Sequence, residues 1–236
     1  MPKFFLALAL LAAVPSFGPF AEPPSAQTPA LPSAAEESFV YARAIGDKRD
    51  EVEIKTRPVS IDGAAYIEMT TRSPDQDGLF RLDPETLLAT YSDITTRSKD
   101  ATIRRITSIV ENRYKPKDGE ILVSSLDTLG QTLRLFPWAK GRRAKLVFLG
   151  SGGGNFSFEL SVSGKESLAI GARVFECWKA QVGLGGILGG MFGKSSLWFS
   201  TDSPSYLVKS EGPSGGPGSP NSVMELKSRS AAAAPG

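Results

Sequence analysis

Apolar and polar residues alternate along most of the chain, the period of strands with one buried face. In 51–57, Val52 and Ile54 share one face while Glu51, Glu53 and Lys55 share the other. The cleanest run sets Phe156, Phe158, Leu160 and Val162 against Ser157, Glu159, Ser161 and Ser163. Further strands are predicted at 38–45, 64–72, 87–97, 101–111, 120–124 and 146–149. Turn residues separate them: Asp62-Gly63, Asp75 to Gly78, Lys99-Asp100, Lys115 to Gly119, Gly150 to Asn155 and Ser163-Gly164-Lys165. The period changes once. Leu126, Leu129, Leu133 and Phe136 fall on one helical stripe, with Ser125 or Asp127 able to cap the start and Pro137 stopping the end.

The stretch 171–209 continues the strand pattern around an unusual insert. Val174, Glu176, Trp178, Ala180 and Val182 alternate with Phe175, Cys177, Lys179 and Gln181, and two more strands follow at 196–200 and 206–209. Between them lies 182–193, uncharged, apolar and dense in glycine. Two readings compete for Leu184, Ile187, Leu188, Met191 and Phe192. They either tuck into the core as the end of a hairpin, or form a mobile apolar flap against a lipid, a partner or a membrane surface. Glycine lowers the cost of changing shape, and exposed apolar patches mark contacts. Trp178 and Trp198 are expected core anchors, and an exposed one would be a binding platform. These seven residues are the candidate contact set.

Composition narrows the chemistry. The 236 residues carry 27 Lys and Arg against 25 Asp and Glu, a net charge of +2, which gives nucleic acid no basic face. There is no histidine, so Ser-His-Asp and Cys-His catalysis and imidazole metal sites are excluded. Cys177 is the single cysteine; it has no internal disulfide partner and reads as a buried, inert thiol.

The N-terminus reads as an export signal. Lys3 precedes an apolar run over 4–14, and Val14-Pro15-Ser16 offers a cleavage site, with alternatives after Ala21 and Ala26. The expected organisation is a signal peptide at 1–16, a Pro/Ala-rich linker at 17–35, a single β domain at 36–228 and a disordered tail at 229–236. A periplasmic or secreted location follows, with no transmembrane segment in the mature chain.

Several motifs fail on spacing. Asp75-Gln76-Asp77-Gly78 resembles half of a calcium loop, but Leu79 and Phe80 stand where ligands belong, so a turn is expected. Gly189, Gly193, Lys194 and Ser195 miss the phosphate-loop spacing, and a strand follows instead of a helix. No Gly-x-Ser-x-Gly elbow or Ser-x-x-Lys pair occurs. The basic clusters Arg97, Lys99, Arg104, Arg105 and 140–145 read as solvated sheet face and turn.

Gly171-x-x-Val174-x-x-Cys177-x-Lys179, 197–202 (LWFSTD), 206–209 (YLVK), Met224-Glu225-Leu226 and the Leu133-Arg134, Phe136-Pro137 segment resemble a family of exported bacterial proteins known only as a domain of unknown function. The resemblance implies a periplasmic, mainly antiparallel β domain and carries over no catalytic residue.

The expected fold is therefore all-β and mainly antiparallel: a curved sheet, or two packed sheets, with one short helix against it. The expected function is non-enzymatic binding of an apolar or lipid-like ligand in the sheet's concavity, without a cofactor or metal. The alternative is an assembly factor that meets an envelope protein partner through the apolar loop or a sheet edge.

Overall fold

The structure, a computed structural model, describes residues 36–108, 114–149, 155–184, 193–214 and 218–231. The expected signal peptide and linker lie outside the described residues. So do Ile187, Leu188, Met191 and Phe192.

Among the described residues the alternating runs form thirteen strands of one sheet. The chain steps outward through β1 (Glu37–Ile45), β2 (Lys48–Ile61), β3 (Ala64–Arg72), β4 (Gln76–Leu82), β5 (Ala89–Arg97) and β6 (Thr102–Ser108), each antiparallel to the one before. It resumes at the opposite edge with β7 (Glu120–Val123), which runs parallel to β8 (Arg143–Leu149). It then returns through β9 (Asn155–Ile170), β10 (Arg173–Leu184), β11 (Ser195–Ser200), β12 (Leu207–Pro213) and β13 (Asn221–Ala231). β13 pairs with β1, so the order across the sheet is 6-5-4-3-2-1-13-12-11-10-9-8-7. Of the two expected architectures, the single curved sheet is the one observed.

A parallel pair needs a crossover connection, and the predicted helix supplies it between β7 and β8. Helix α1 covers Leu129–Thr132 and runs on into a 3-10 turn at Leu133–Leu135. This crossover also shows how far the sheet curls. Ala89, at the start of β5, donates its N–H to Ser124 Oγ, just past β7, at 2.8 Å. β5 and β7 lie eleven strand spacings apart in the sheet order, about 50 Å in a flat sheet at ~4.8 Å per spacing. The sheet must therefore roll round until its two wings meet over the crossover.

Inside the roll, Leu133 and Phe136 pack with Val123, Leu146, Phe148, Leu160, Ala180, Leu197 and Phe199. A second cluster gathers Phe39, Tyr41, Tyr206 and Leu226 around the β1–β13 pairing, and a third joins Met69, Phe80, Leu82 and Ala89.

Four local expectations are corrected. Leu126, placed on the helical stripe, is 72% exposed, because the helix begins three residues later. Gly78 is not in a turn; the turn is closed at Ser73 and Gln76, and Gly78 pairs with Thr71 and Ile94 inside the sheet. Ser163-Gly164-Lys165 is a bulge opposite Lys179 within a long β9, and the hairpin turns at Gly171, where φ is +58°. The last strand reaches Ala231, into the segment expected to be a tail.

Candidate functional site

β1 begins opposite Thr56, so residues 57–61 of β2 pair only with β3 among the described residues. Pro58 fits there, since an unpaired strand side needs no N–H donor. The inner side of this overhang faces α1 and the turn between β4 and β5. Between them lies a groove of about 430 Å³. Pro58, Val59, Ile67, Pro84 and Leu87 supply its apolar lining, with Gln131, Arg134 and Glu37 beside them.

Leu87 reaches the groove through an unusual backbone. Its φ is +56°, a left-handed conformation that a branched side chain adopts only at a cost of about 1–3 kcal/mol. The turn is held by Asp83, whose Oδ1 accepts from the Glu85 and Thr86 N–H groups and the Thr86 hydroxyl. The side chain thus placed is only 3% exposed.

At the groove's end three charges from distant parts of the chain meet. Arg134 Nη1 donates to Glu37 Oε2 at 2.5 Å and to Gln131 Oε1 at 3.2 Å, and its Nε donates to the Ser205 carbonyl at 3.1 Å. Arg229 Nη2 donates to the other Glu37 oxygen at 2.8 Å. Burial alone would raise the Glu37 carboxyl, but the hydrogen bonds and charges of Arg134 and Arg229 outweigh it and hold the group below the usual glutamate range. Phe39 and Tyr206 complete the surround: Arg229 lies 4.3 Å from the Tyr206 ring centroid and Arg134 lies 5.9 Å from that of Phe39. Arg134 Nη2 is buried with no hydrogen-bond partner among the described residues. The site can bind and orient; among the described residues it presents no nucleophile paired with a base.

The three sequence candidates among the described residues sit elsewhere. Trp178 pairs with Phe199 and Trp198 with Lys179, so the two tryptophans project from opposite faces of the sheet. Trp178 is half-buried against the inner core, with Lys165 Nζ 4.8 Å from its ring centroid. Trp198 is 6% exposed; its indole N–H donates to Glu166, and Lys179 and Lys209 lie over the ring. Leu184, at the end of β10, is half-buried opposite Phe158. None of the three lines the groove. Cys177 is fully buried, and burial pushes its thiol up to about 12, the inert thiol expected.

In the basic clusters, Arg97 pairs with Asp77, Arg104 with Asp93 and Lys145 with Glu120. Asp75, once a candidate calcium ligand, is held well below the usual carboxylate range: burial opposes this, and Arg43, Ser73 and Lys48 overcome it. Among the described residues no cluster of acidic side chains or cysteine is suited to a metal, and no helix is long and apolar enough to cross a membrane.

Sequence reasoning missed Glu37, Leu87 and Arg134 as site residues. One signal for Arg134 was available: an arginine directly beside a stripe residue, Leu133, in the helical pattern at 126–136.

No family model and no curated protein matches this chain. Among solved structures it is similar to a DUF1329 family protein from Desulfovibrio piger, with 9% identity and a TM-score of 0.30, over 84% of this chain and 86% of that one. The name of that neighbour denotes a domain of unknown function and states no ligand, activity or compartment.

Proposed function

We propose that the chain is an exported, non-enzymatic binder of an apolar or lipid-like ligand seated in the groove between β2, β3 and α1. The observation that carries this reading is the groove itself. Its volume of about 430 Å³ falls within the ~300–1,000 Å³ of small-molecule sites, and its lining is apolar with a few convergent polar groups. The strained backbone at Leu87 supports it, because such strain persists where the surrounding structure imposes it and is concentrated at ligand-holding positions. The apolar run at 4–14 motivates the export element of the proposal. Titration with the fluorescent apolar probe N-phenyl-1-naphthylamine tests the binding. Saturable enhancement is expected, and Ala65→Trp, on the same sheet face as Pro58 and Ile67 and so able to fill the groove, should weaken it at least tenfold. No enhancement, or an Ala65→Trp protein that binds like the parent, overturns the reading.

A second reading, contact with an envelope protein partner along the sheet edge, draws on β6. This edge strand exposes Ile103 at 60% and Ile106 at 55%, a pairing liability unless it is covered. Ile103→Lys with Ile106→Lys separates the two readings: it should abolish crosslinking to a partner while leaving probe binding unchanged.

A further inference from the structure

The structure assigns the groove an amphiphile with a carboxylate head group, recognised by Arg134 Nη2. This rests on the groove being a ligand site and names what the ligand must carry. Arg134 has a side chain only 3% exposed, and its Nε and Nη1 are both engaged by Ser205, Glu37 and Gln131. Nη2 alone is left over, buried and without an acceptor among the described residues, while Arg134 lines the apolar groove. A buried donor without an acceptor is costly, and folded proteins rarely leave a guanidinium nitrogen so. An acceptor entering through the groove satisfies it.

The charge balance says what kind of acceptor. Two guanidinium groups, Arg134 and Arg229, share the single carboxylate of Glu37, which leaves one positive charge in excess. The remaining cation on the groove wall, Arg57, is already paired with Glu68. A monoanion neutralises that excess. A phosphate monoester carries about 1.5–2 negative charges near neutral pH, so it overshoots in charge. A carboxylate matches it, and Pro58, Ile67, Pro84 and Leu87 accommodate the apolar chain behind it.

The test compares three ligands of equal chain length by displacement of N-phenyl-1-naphthylamine: palmitic acid, its methyl ester and hexadecyl phosphate. The acid should bind at least tenfold tighter than the ester and tighter than the phosphate. Equal affinity of acid and ester overturns the head-group assignment while leaving the groove reading standing. A phosphate that binds tightest overturns the choice of carboxylate. If no ligand displaces the probe, both readings fall. Arg134→Leu with Glu37→Gln removes both buried charges together, so that neither is stranded. This protein should bind acid and ester equally, and a retained preference for the acid places the head group elsewhere. The three-ligand comparison in the unaltered protein decides the matter even where that variant does not fold.

Discussion

Replacing Arg134 by Leu probes the buried charge cluster through stability alone, independently of any ligand. The side chains of Arg134 and Glu37 are 3% and 5% exposed, and their ion pair is 2.5 Å long. Removing one partner of a buried pair costs about 3–5 kcal/mol, because the other charge stays out of water without compensation. Glu37 keeps Arg229 at 2.8 Å, which argues for the lower end, about 3 kcal/mol. At a urea m-value of about 2 kcal/mol/M, the midpoint should fall by about 1.5 M. The double variant Arg134→Leu/Glu37→Gln should lose only about 1 kcal/mol, since the stranded charge goes too and Arg229, 29% exposed, can reach water. The two substitutions therefore couple in a double-mutant cycle by about 2 kcal/mol plus whatever Glu37→Gln costs alone. A single variant within 1 kcal/mol of the parent, or strictly additive costs, would refute the claim that this pair is buried and mutually dependent. The pH dependence follows from the same cluster. The folded-state Glu37 carboxyl lies below its unfolded value of about 4.3, so its contribution is complete above that pH and is lost as the pH falls through the lower folded value. The stability gap between the parent and Glu37→Gln should thus be full at pH 7 and shrink below about pH 4.

Gly78→Ala should lower stability by about 1–3 kcal/mol in thermal melting, because the added Cβ would lie 2.6 Å from Thr71 Oγ1 and 2.7 Å from the Phe80 ring, and Phe80 is fully buried; an unchanged melting temperature would show that both neighbours yield freely. Cys177 should resist an aromatic disulfide reagent at pH 8 until urea unfolds the chain, since the thiol is fully buried and titrates only near 12; rapid labelling of the native protein would contradict that burial.

The strands were readable because alternation is a local property. The runs at 51–57 and 156–163 lie within β2 and β9 as expected, and 64–72 coincides with β3. Glycine misled the boundaries. Gly78 serves the close approach of Thr71 and Phe80, and Gly164 serves a bulge, yet both carry the same local signature as a turn. The stripe overshot at Leu126 because three-four spacing counts residues and not the point where the backbone begins to coil. The site itself was far less legible. Glu37 meets Arg134 across 97 residues and Arg229 across 192, and no spacing rule reaches that far. Leu87 left no signal either, since its left-handed backbone is imposed by the Asp83 turn and not by a residue that favours it.

The placement of that cluster follows from the topology. Two meanders run in opposite directions, and only the pairing of β1 with β13 makes them one sheet. Glu37 opens β1, and Arg229 lies near the end of β13 opposite Phe39. Directly paired residues project from the same face, so Arg229 stands with Phe39 and, two residues along, with Glu37. The crossover between β7 and β8 then lays Arg134 on that face, inside the roll. The carboxylate is therefore shared by both sides of the seam and by the crossover, and the groove opens where β2 runs on past the start of β1. Seam and groove share the residue Glu37. A substitution that loosens the β1–β13 pairing must move the Glu37 carboxylate, and with it the anion that fixes Arg134 Nη1 beside the groove.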